Sequence, residues 1–218
     1  MMRKIFFGAA LVLCGFAATV RAEPAAPVTV AALGDSLTQG YGLAPQDGFV
    51  AQLQRWLDAR DAGAVLINAG VSGDTTAGGA ARVGWTLTPD VDAMIVALGG
   101  NDMLRGIAPA VARDNLDTIL AAAREAGVAV LLVGMPVPGN YGPDYQRDFA
   151  AIYPELAARH GVLYAPDFMA GLGAGDDPAR AAALMQLDGI HPDAEGVARI
   201  VAALGPKVLD LIAQARGE

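Results

Sequence analysis

Residues 28–42 read VTVAALGDSLTQGYG, an apolar β-strand pattern that ends in a cluster of small and polar residues. The apolar run stops at Gly34, and Asp35 and Ser36 follow at once. A short apolar run bounded by glycine predicts a buried strand of a parallel sheet. Ser36 then lies just past the carboxyl end of a strand, where open α/β sheets bind their ligands. We therefore consider Ser36 a candidate nucleophile, with an ordinary helix N-cap at Asp35 and Ser36 as the alternative.

Strand and helix patterns alternate along the rest of the chain. Apolar runs predict further strands at residues 65–69, 90–98, 128–133 and 162–165. Apolar residues at helical spacing, or Pro and Gly at the ends of a segment, predict helices at residues 49–57, 109–126, 145–160 and 192–215. The second strand breaks at Gly70 into a glycine-rich loop, VSGDTTAGGAARV. This alternation is typical of βαβ units, so we expect a parallel sheet that helices cover on both faces.

The amino terminus has the pattern of a secretory signal peptide. Arg3 and Lys4 precede an apolar segment, and Val20 and Ala22 are the small residues of a cleavage site. We expect export to the periplasm or the exterior. The predicted organisation is a signal peptide at residues 1–22, a flexible lead-in at residues 23–27 and a single domain at residues 28–216.

Composition excludes several classes of function. The only cysteine, Cys14, lies in the predicted signal peptide, so the mature chain has no thiol for disulfides, thiolate metal sites or cysteine catalysis. Lipid attachment at Cys14 is an alternative that the bulky Leu13 disfavours. Removal of the signal peptide lowers the basic count from 15 to 12 against 23 acidic residues, which gives a net charge of −11. Nucleic acids and anionic membranes repel such a charge. We expect a small-molecule substrate and a monomer that does not insert into membranes after cleavage.

A serine nucleophile needs a base, and the chain has two histidines to supply one. His160 precedes Gly161 at a predicted helix end, where histidine commonly caps the last carbonyls, so we assign it a structural role. His191 lies before Pro192, which disfavours helical geometry at the preceding residue and holds His191 extended. Asp188, three residues earlier, can fold back to accept the Nδ1 proton of His191. An N-cap or half of a metal site is the alternative for Asp188 and His191, but a metal would need further ligands.

Gly73 and Asn101 are candidate donors to an oxyanion. Gly73 follows the second predicted strand and can present a bare backbone N–H, while Asn101 follows the third and offers its side-chain amide. A turn glycine at Gly73 and a cap at Asn101 are the alternatives. A strand order of 2-1-3 would bring both residues beside Ser36 at the switch point of a doubly wound sheet.

Four sequence blocks resemble those of the SGNH (GDSL-type) hydrolases, in the order of that family: GDSL at residues 34–37, SGDT at 72–75, GGND at 99–102, and Asp188 with His191. The similarity extends from residue 28 to the last helix and is greatest to the bacterial periplasmic branch of thioesterases, lysophospholipases and arylesterases. The resemblance implies an α/β fold of three layers, α/β/α, with a flavodoxin-like five-stranded parallel sheet. It also implies a serine esterase that acts on esters and thioesters without a cofactor or a metal.

The resemblance also implies residue roles. Ser36 would be the nucleophile, with Asp188 and His191 completing a catalytic triad. The Ser36 and Gly73 amides and the Asn101 side chain would form the oxyanion hole. Further candidates for substrate contact are Asn140, Tyr141, Gly142 and Ile190, of which the first three belong to a Pro- and Gly-rich loop at residues 136–145. A plain surface connection is the alternative for that loop.

Two other functions would suit the same scaffold. A carbohydrate O-deacetylase would take acetyl esters and refuse long acyl chains, and a non-catalytic exported lipid-binding protein would show no turnover. Residues 73–80 have the glycine spacing of a phosphate loop but lack its Lys-Ser/Thr pair, and no Gly-x-Ser-x-Gly surrounds Ser36. The sequence thus disfavours a nucleotide-binding loop and the α/β-hydrolase elbow.

Overall fold

The computed structural model describes residues 26–137, 139–175 and 177–218. The signal peptide predicted at residues 1–22 lies outside these residues, as does most of the predicted lead-in. In the part of the chain that is described, no helix has the length and apolar character needed to cross a membrane.

A five-stranded parallel sheet forms the centre of the molecule, with the strand order β2-β1-β3-β4-β5. The strands are β1 (Val28–Gly34), β2 (Ala64–Gly70), β3 (Ala93–Ala97), β4 (Ala129–Val133) and β5 (Leu163–Ala165). This order places β1 between β2 and β3, so the loops after the first three strands lie side by side. The predicted parallel sheet and its 2-1-3 order are confirmed.

Helices cover the two faces of the sheet. They are α1 (Ser36–Gln39), α2 (Phe49–Asp58), α3 (Thr76–Thr86), α4 (Gly100–Leu104), α5 (Pro109–Glu125), α6 (Pro143–His160), α7 (Pro178–Ala182) and α8 (Ala194–Arg216). One layer contains α2 and α8, which contact each other, and α3, α5 and α6 contact in sequence in the other. The predicted α/β/α arrangement is confirmed.

The core lies between the sheet and these layers. Every residue of β3 is buried, as is nearly all of β1, because both faces of these central strands are covered. The amphipathic helix α5 contributes Leu116 and Ile119 from one face. Burial of each such side chain contributes about 1.5–3 kcal/mol, which fixes the strand ends relative to one another.

The edge strand β2 differs from the prediction of a sheet covered on both faces. Val65 is 48% exposed and Ile67 is 43% exposed, whereas Ala64 is buried. Their alternation shows one side of β2 facing α2 and the other facing solvent. On the second face of the sheet, the helices therefore cover β1 but not β2.

The helix α3 occupies most of the glycine-rich segment in which the sequence indicated a loop. Glycine is a poor helix former, so local propensity alone disfavours this helix. Its first turn is held from outside, because the fully buried carboxylate of Asp102 accepts hydrogen bonds from the Thr76 N–H at 2.9 Å and the Thr76 hydroxyl at 2.6 Å. The missing side chain of Gly79 lets the helix pack closely on Leu98. Tertiary contacts thus outweigh propensity at α3.

Candidate active site

The loops after β1, β2 and β3 meet at one cavity of about 520 Å³. Ser36 is the first residue of α1, Gly73 lies in the turn between β2 and α3, and Asn101 lies in the first turn of α4. All three line the cavity, together with His191 from the segment before α8. The structure therefore brings together residues that are as far apart as positions 36 and 191 of the sequence.

A chain of hydrogen bonds joins Ser36, His191 and Asp188. His191 Nε2 lies 2.8 Å from Ser36 Oγ, and His191 Nδ1 lies 2.7 Å from Asp188 Oδ2. A carboxylate can only accept, so Nδ1 carries the proton and Nε2 is left as the acceptor of the Ser36 hydroxyl. The arrangement is that of a nucleophile, a base and an orienting acid.

The Asp188 carboxylate is held in place by backbone N–H groups of the residues that follow it. Its Oδ1 accepts hydrogen bonds from the N–H groups of Ile190 at 2.9 Å and His191 at 3.0 Å, which leaves Oδ2 for the imidazole. The backbone N–H of His191, followed by the imidazole and the N–H of Ile190, lowers the pKa of Asp188 from 3.8 to about 2. The N-cap of α8 is Asp193, so the alternative of Asp188 as that cap does not hold.

The loop that carries His191 is also held from its other sides. The Tyr41 ring lies 4.7 Å from the His191 ring, measured between centroids. The Gln186 backbone N–H donates to the His191 carbonyl at 2.8 Å, and the Gln186 side-chain amide donates to the Tyr41 carbonyl at 2.9 Å. These contacts fix the loop that carries the base against the loop that follows Ser36.

A tight turn presents Gly73 to the cavity. The Asp74 N–H donates to the Val71 carbonyl at 3.0 Å, and Gly73 adopts a φ of +78° at the third position of the turn. This conformation favours glycine, as in a type II turn. Arg105 Nη2 donates to the Gly73 carbonyl at 2.7 Å and restrains the same residue. The turn interpretation of Gly73 and its place beside Ser36 are thus compatible.

The Asp35 carboxylate caps the helix that begins at Ser36 and also bonds to Asn101. Its Oδ1 accepts the Leu37 N–H at 3.0 Å as the N-cap of α1, and its Oδ2 accepts the Asn101 amide at 3.2 Å. The residue is 2% exposed. Burial raises the pKa of Asp35 from 3.8 to about 6, although the Leu37 N–H and the Asn101 amide oppose the shift. Asp35 is therefore the helix cap of the alternative interpretation, directly before the candidate nucleophile.

His160 lies apart from the cavity. Its Nε2 is 2.7 Å from Asp117 Oδ1, so it links α6 to α5. The expected cap on the last carbonyls of α6 is wrong in its detail, because the left-handed Gly161 ends that helix and its N–H donates to the Ala157 carbonyl. The imidazole is the main cause of the lowered pKa of Asp117.

Apolar side chains form most of the cavity wall, among them Leu37, Met103, Met135, Val137, Met169 and Ile190. Of the four predicted substrate contacts, Ile190 lines the cavity. Asn140, Tyr141 and Gly142 are not among the described residues that line it. Tyr141 instead donates its hydroxyl to the Leu104 carbonyl at 3.3 Å, which holds its turn against the segment that does line the cavity.

Sequence reasoning missed the methionines of the wall. Met103, Met135 and Met169 come from three separate segments, and each has the character of an ordinary core residue. The one usable signal was the position of Met135, two residues after the β4 strand, at the same edge of the sheet as Ser36. Flexible thioether side chains can adapt to ligands of different shape.

A Ser-His-Asp chain at the carboxyl edge of an α/β/α sheet defines a serine hydrolase. The chain belongs to the GDSL-like lipase/acylhydrolase family, whose model matches residues 32–199. The resemblance inferred from the four blocks is confirmed, and so is the expectation of an enzyme that hydrolyses ester bonds.

Named relatives resemble most of the chain. It is 38% identical over 205 residues to Esterase TesA of Pseudomonas aeruginosa, a match that covers 93% of this chain and 99% of that protein. It is 36% identical to Thioesterase 1/protease 1/lysophospholipase L1 of Escherichia coli K12, over 78% of this chain and 77% of that protein. Among solved structures, AlinE4, an SGNH-hydrolase family esterase, shares 41% identity with a TM-score of 0.70, over 86% of this chain and 98% of that one.

Proposed function

We propose that this protein hydrolyses carboxylic esters and thioesters of fatty acids through an acyl-enzyme on Ser36. The observation that carries the proposal is the 2.8 Å hydrogen bond between Ser36 Oγ and His191 Nε2. Both residues line a cavity whose wall is mostly apolar. Nucleophile, base and acyl-binding wall then lie at one place.

In the first half of the reaction, Ser36 Oγ attacks the acyl carbon of the substrate. His191 Nε2 takes the Ser36 proton, and the imidazolium then returns that proton to the leaving alcohol or thiol. The bond from the acyl carbon to the leaving group breaks, and the acyl group remains on Ser36. Asp188 stays ionised throughout, because its pKa of about 2 lies far below neutral pH.

The negative charge that develops on the substrate oxygen needs fixed donors. The backbone N–H groups of Ser36 and Gly73 and the side-chain amide of Asn101 supply them in this proposal. Asp35 accepts one hydrogen of the Asn101 amide, so the second hydrogen is available to the oxyanion. Removal of one such donor typically lowers kcat about 10²- to 10³-fold.

Water resolves the acyl-enzyme in the second half. His191 again acts as the base, takes a proton from the water and gives it to Ser36 Oγ as the acid is released. The cycle regenerates the free hydroxyl and consumes one water for each ester, with no redox change.

The cavity wall supports the assignment to fatty-acyl substrates. Its lining beyond Ser36 is mainly aliphatic and thioether side chains, which suit an alkyl chain better than a sugar. The names of the relatives include an esterase, a thioesterase and a lysophospholipase. Aryl esters, lysophospholipids and fatty-acyl thioesters are therefore the substrate classes that we propose.

The setting of the enzyme belongs to the same proposal. We infer that the chain is exported to the periplasm or secreted, on the signal-peptide pattern at residues 1–22. We also propose that it acts as a monomer on small molecules. Acyl-CoA would then be a test-tube thioester and not a substrate that the enzyme meets outside the cytoplasm.

The test is hydrolysis of p-nitrophenyl esters from acetyl to palmitoyl by the mature protein and by Ser36→Ala and His191→Ala. Both variants are expected to lose turnover by about 10³-fold or more. His160→Ala is the matched control, since it removes the other histidine at a distance from the cavity, and it should retain turnover.

The outcomes separate the alternatives. A maximum at acetyl esters with no activity on long chains would favour a carbohydrate O-deacetylase. No turnover on any ester would favour a lipid-binding protein. Wild-type rates in Ser36→Ala would refute the acyl-enzyme mechanism.

A further inference from the structure

Arg82 of α3 makes a three-way contact beneath the candidate active site. Its Nε donates to Asp74 Oδ2 at 2.7 Å, its Nη1 to the Ala69 carbonyl at 2.7 Å, and its Nη2 to the Gly34 carbonyl at 2.9 Å. The Arg82 side chain is 21% exposed. A guanidinium group is planar and rigid, so three acceptors around it are held in fixed relative positions.

The three acceptors lie next to two of the proposed oxyanion donors. Gly34 ends β1 two residues before Ser36, and Asp74 directly follows Gly73. Ala69 belongs to the end of β2, where the Gly73 turn begins. Arg82 therefore joins the loop that carries the Ser36 N–H to the loop that carries the Gly73 N–H.

Two further features support this link between the two loops. The Gly34 carbonyl also accepts the Val71 N–H at 3.0 Å, so Arg82 completes an existing link between β1 and the turn. The missing side chain at Gly78 leaves the space in which the Asp74 carboxylate lies, because a Cβ there would overlap that carboxylate. The local sequence thus accommodates the ion pair between Asp74 and Arg82.

We propose that Arg82 is a positioning residue that sets the separation and direction of the Ser36 and Gly73 N–H donors. This inference rests on the proposed acyl-enzyme mechanism. Arg82 does not line the cavity and does not touch the reacting atoms. Its loss changes the donors that act on the charged tetrahedral intermediate and leaves the apolar wall that binds the neutral ester. Such a change lowers kcat and leaves KM in place.

The experiment compares Arg82→Ala and Arg82→Lys with the wild type on one soluble p-nitrophenyl ester. Displacement of catalytic donors by a fraction of an ångström to about 1 Å predicts a fall in kcat of about 10- to 100-fold, with KM within about twofold. Arg82→Lys should restore little, because an ammonium group cannot span the three acceptors as a fork. Arg113→Ala is the matched control, since Arg113 is 26% exposed and pairs with Glu155 at 2.6 Å outside the cavity.

Chemical rescue separates positioning from a general loss of structure. Millimolar methylguanidinium should raise kcat of Arg82→Ala several-fold, whereas equal concentrations of urea or of sodium chloride should not. Thermal unfolding of each variant is measured in parallel. If Arg82→Ala does not fold, Arg82→Lys carries the same kcat and KM comparison, because it removes the planar fork and keeps a cationic side chain of similar length.

Two results would overturn the inference. In the first, Arg82→Ala keeps kcat within twofold of Arg113→Ala. In the second, Arg82→Ala loses activity in another way: KM rises while kcat is kept, the loss equals the fraction of unfolded protein, or methylguanidinium does not raise kcat. Ser36→Ala, assayed in the same series, tests the proposed function separately. If Ser36→Ala is inactive and the Arg82 variants are not impaired, the positioning inference alone is wrong.

Discussion

Two carboxylates flank the Ser36 and His191 pair, and their surroundings shift their pKa values in opposite directions. Asp188 faces backbone N–H groups and an imidazole, which lower its pKa to about 2. Asp35 is buried, which raises its pKa to about 6. Near neutral pH both carboxyl groups are mostly ionised. Hydrogen-bond donors stabilise the negative charge of Asp188, whereas burial makes the negative charge of Asp35 energetically costly.

Asp188→Asn should lower kcat about 10³- to 10⁴-fold, because it reverses the tautomer of His191. The new side-chain oxygen can keep the backbone N–H bonds of Ile190 and His191, which turns the NH₂ group toward Nδ1. Nδ1 must then accept, so Nε2 carries a hydrogen and cannot take the proton of Ser36. Steady-state kinetics with a soluble ester measure the loss.

Asp193→Asn provides the control for this substitution. Asp193 caps α8 two residues after His191 and accepts the Gly196 N–H at 2.8 Å. Asparagine is as good a cap as aspartate, so this variant should keep its turnover. Equal activity in Asp188→Asn and Asp193→Asn would contradict an orienting role for Asp188.

Asp35→Asn should remove a pH-dependent loss of stability. The folded-state pKa of Asp35, about 6, lies above its ordinary value of 3.8. The folded chain therefore binds more protons between these pH values, and the free energy of unfolding falls as pH rises through them. The loss amounts to roughly 2–4 kcal/mol, fully present above about pH 7 and absent below about pH 4. Because an asparagine side chain offers one acceptor oxygen in place of two, the Asn101 amide should lose its orientation and turnover should fall.

Urea unfolding of the wild type and Asp35→Asn between about pH 4 and pH 8 measures this effect. The stability of the variant relative to the wild type should increase with pH and level off above about pH 7. A difference that is constant across this range would show that Asp35 titrates normally in the folded chain.

Among single residues, the sequence predicted the polar side chains and glycine that the structure brings together at the candidate site, but not the residues that hold them in place. Ser36, Gly73, Asn101, Asp188 and His191 stand in short motifs with a chemical interpretation. Arg82 lies in no such motif, and only the fold shows which carbonyls it reaches. The same holds for Asp35, whose role as a cap could be predicted, whereas its burial depends on α4 lying over it.

At the level of elements, the strand ends were predictable and α3 was not. Apolar runs that end at glycine locate β1 and β3 within a few residues, since central strands are covered on both faces. The α3 helix depends on Thr76 bonding to Asp102, 26 residues later, and local sequence contains no sign of that pairing. Helix α4 is only five residues long and gives no apolar period to detect.

Side-chain hydrogen bonds occupy backbone groups of the edge strand β2 that could otherwise pair with another chain. Gln54 of α2 accepts the Leu66 N–H at 2.8 Å and donates to the Ala64 carbonyl at 2.9 Å, as a neighbouring strand would do. Asn68 accepts the Gly70 N–H with its own side chain at 3.0 Å. Such protection matters because Val65 and Ile67 are exposed on the same strand.

Gln54→Ala should promote self-association, since it frees two backbone groups beside exposed apolar side chains. Light scattering and sedimentation over a range of protein concentrations would detect a rise in apparent mass that the wild type does not show. Gln214→Ala, on the exposed face of α8, is the control. An apparent mass of Gln54→Ala that stays equal to that of the wild type at high concentration would show that the β2 edge is protected by other means.

For the whole molecule, topology followed from the sequence better than the shape of the cavity did. Alternating strands and helices, with right-handed crossovers, leave few ways to arrange five parallel strands. The cavity wall instead depends on how side chains from separate loops pack. That is why its methionines were missed, and why Asn140, Tyr141 and Gly142 are not among the described residues that line it.

The proposed export can be tested on the mature form of the whole chain. Cleavage after Ala22 would leave a protein that starts at Glu23, carries a net charge of −11 and has lost its only cysteine, Cys14. The intact mass of the protein purified from the periplasm or the medium should match residues 23–218, and a maleimide should add no mass to it. Activity should also survive thiol reagents, because the proposed nucleophile is a hydroxyl. A mass that retains Cys14 with an attached lipid would show a membrane-anchored enzyme, and retention of residues 1–22 without a lipid would refute cleavage at this position.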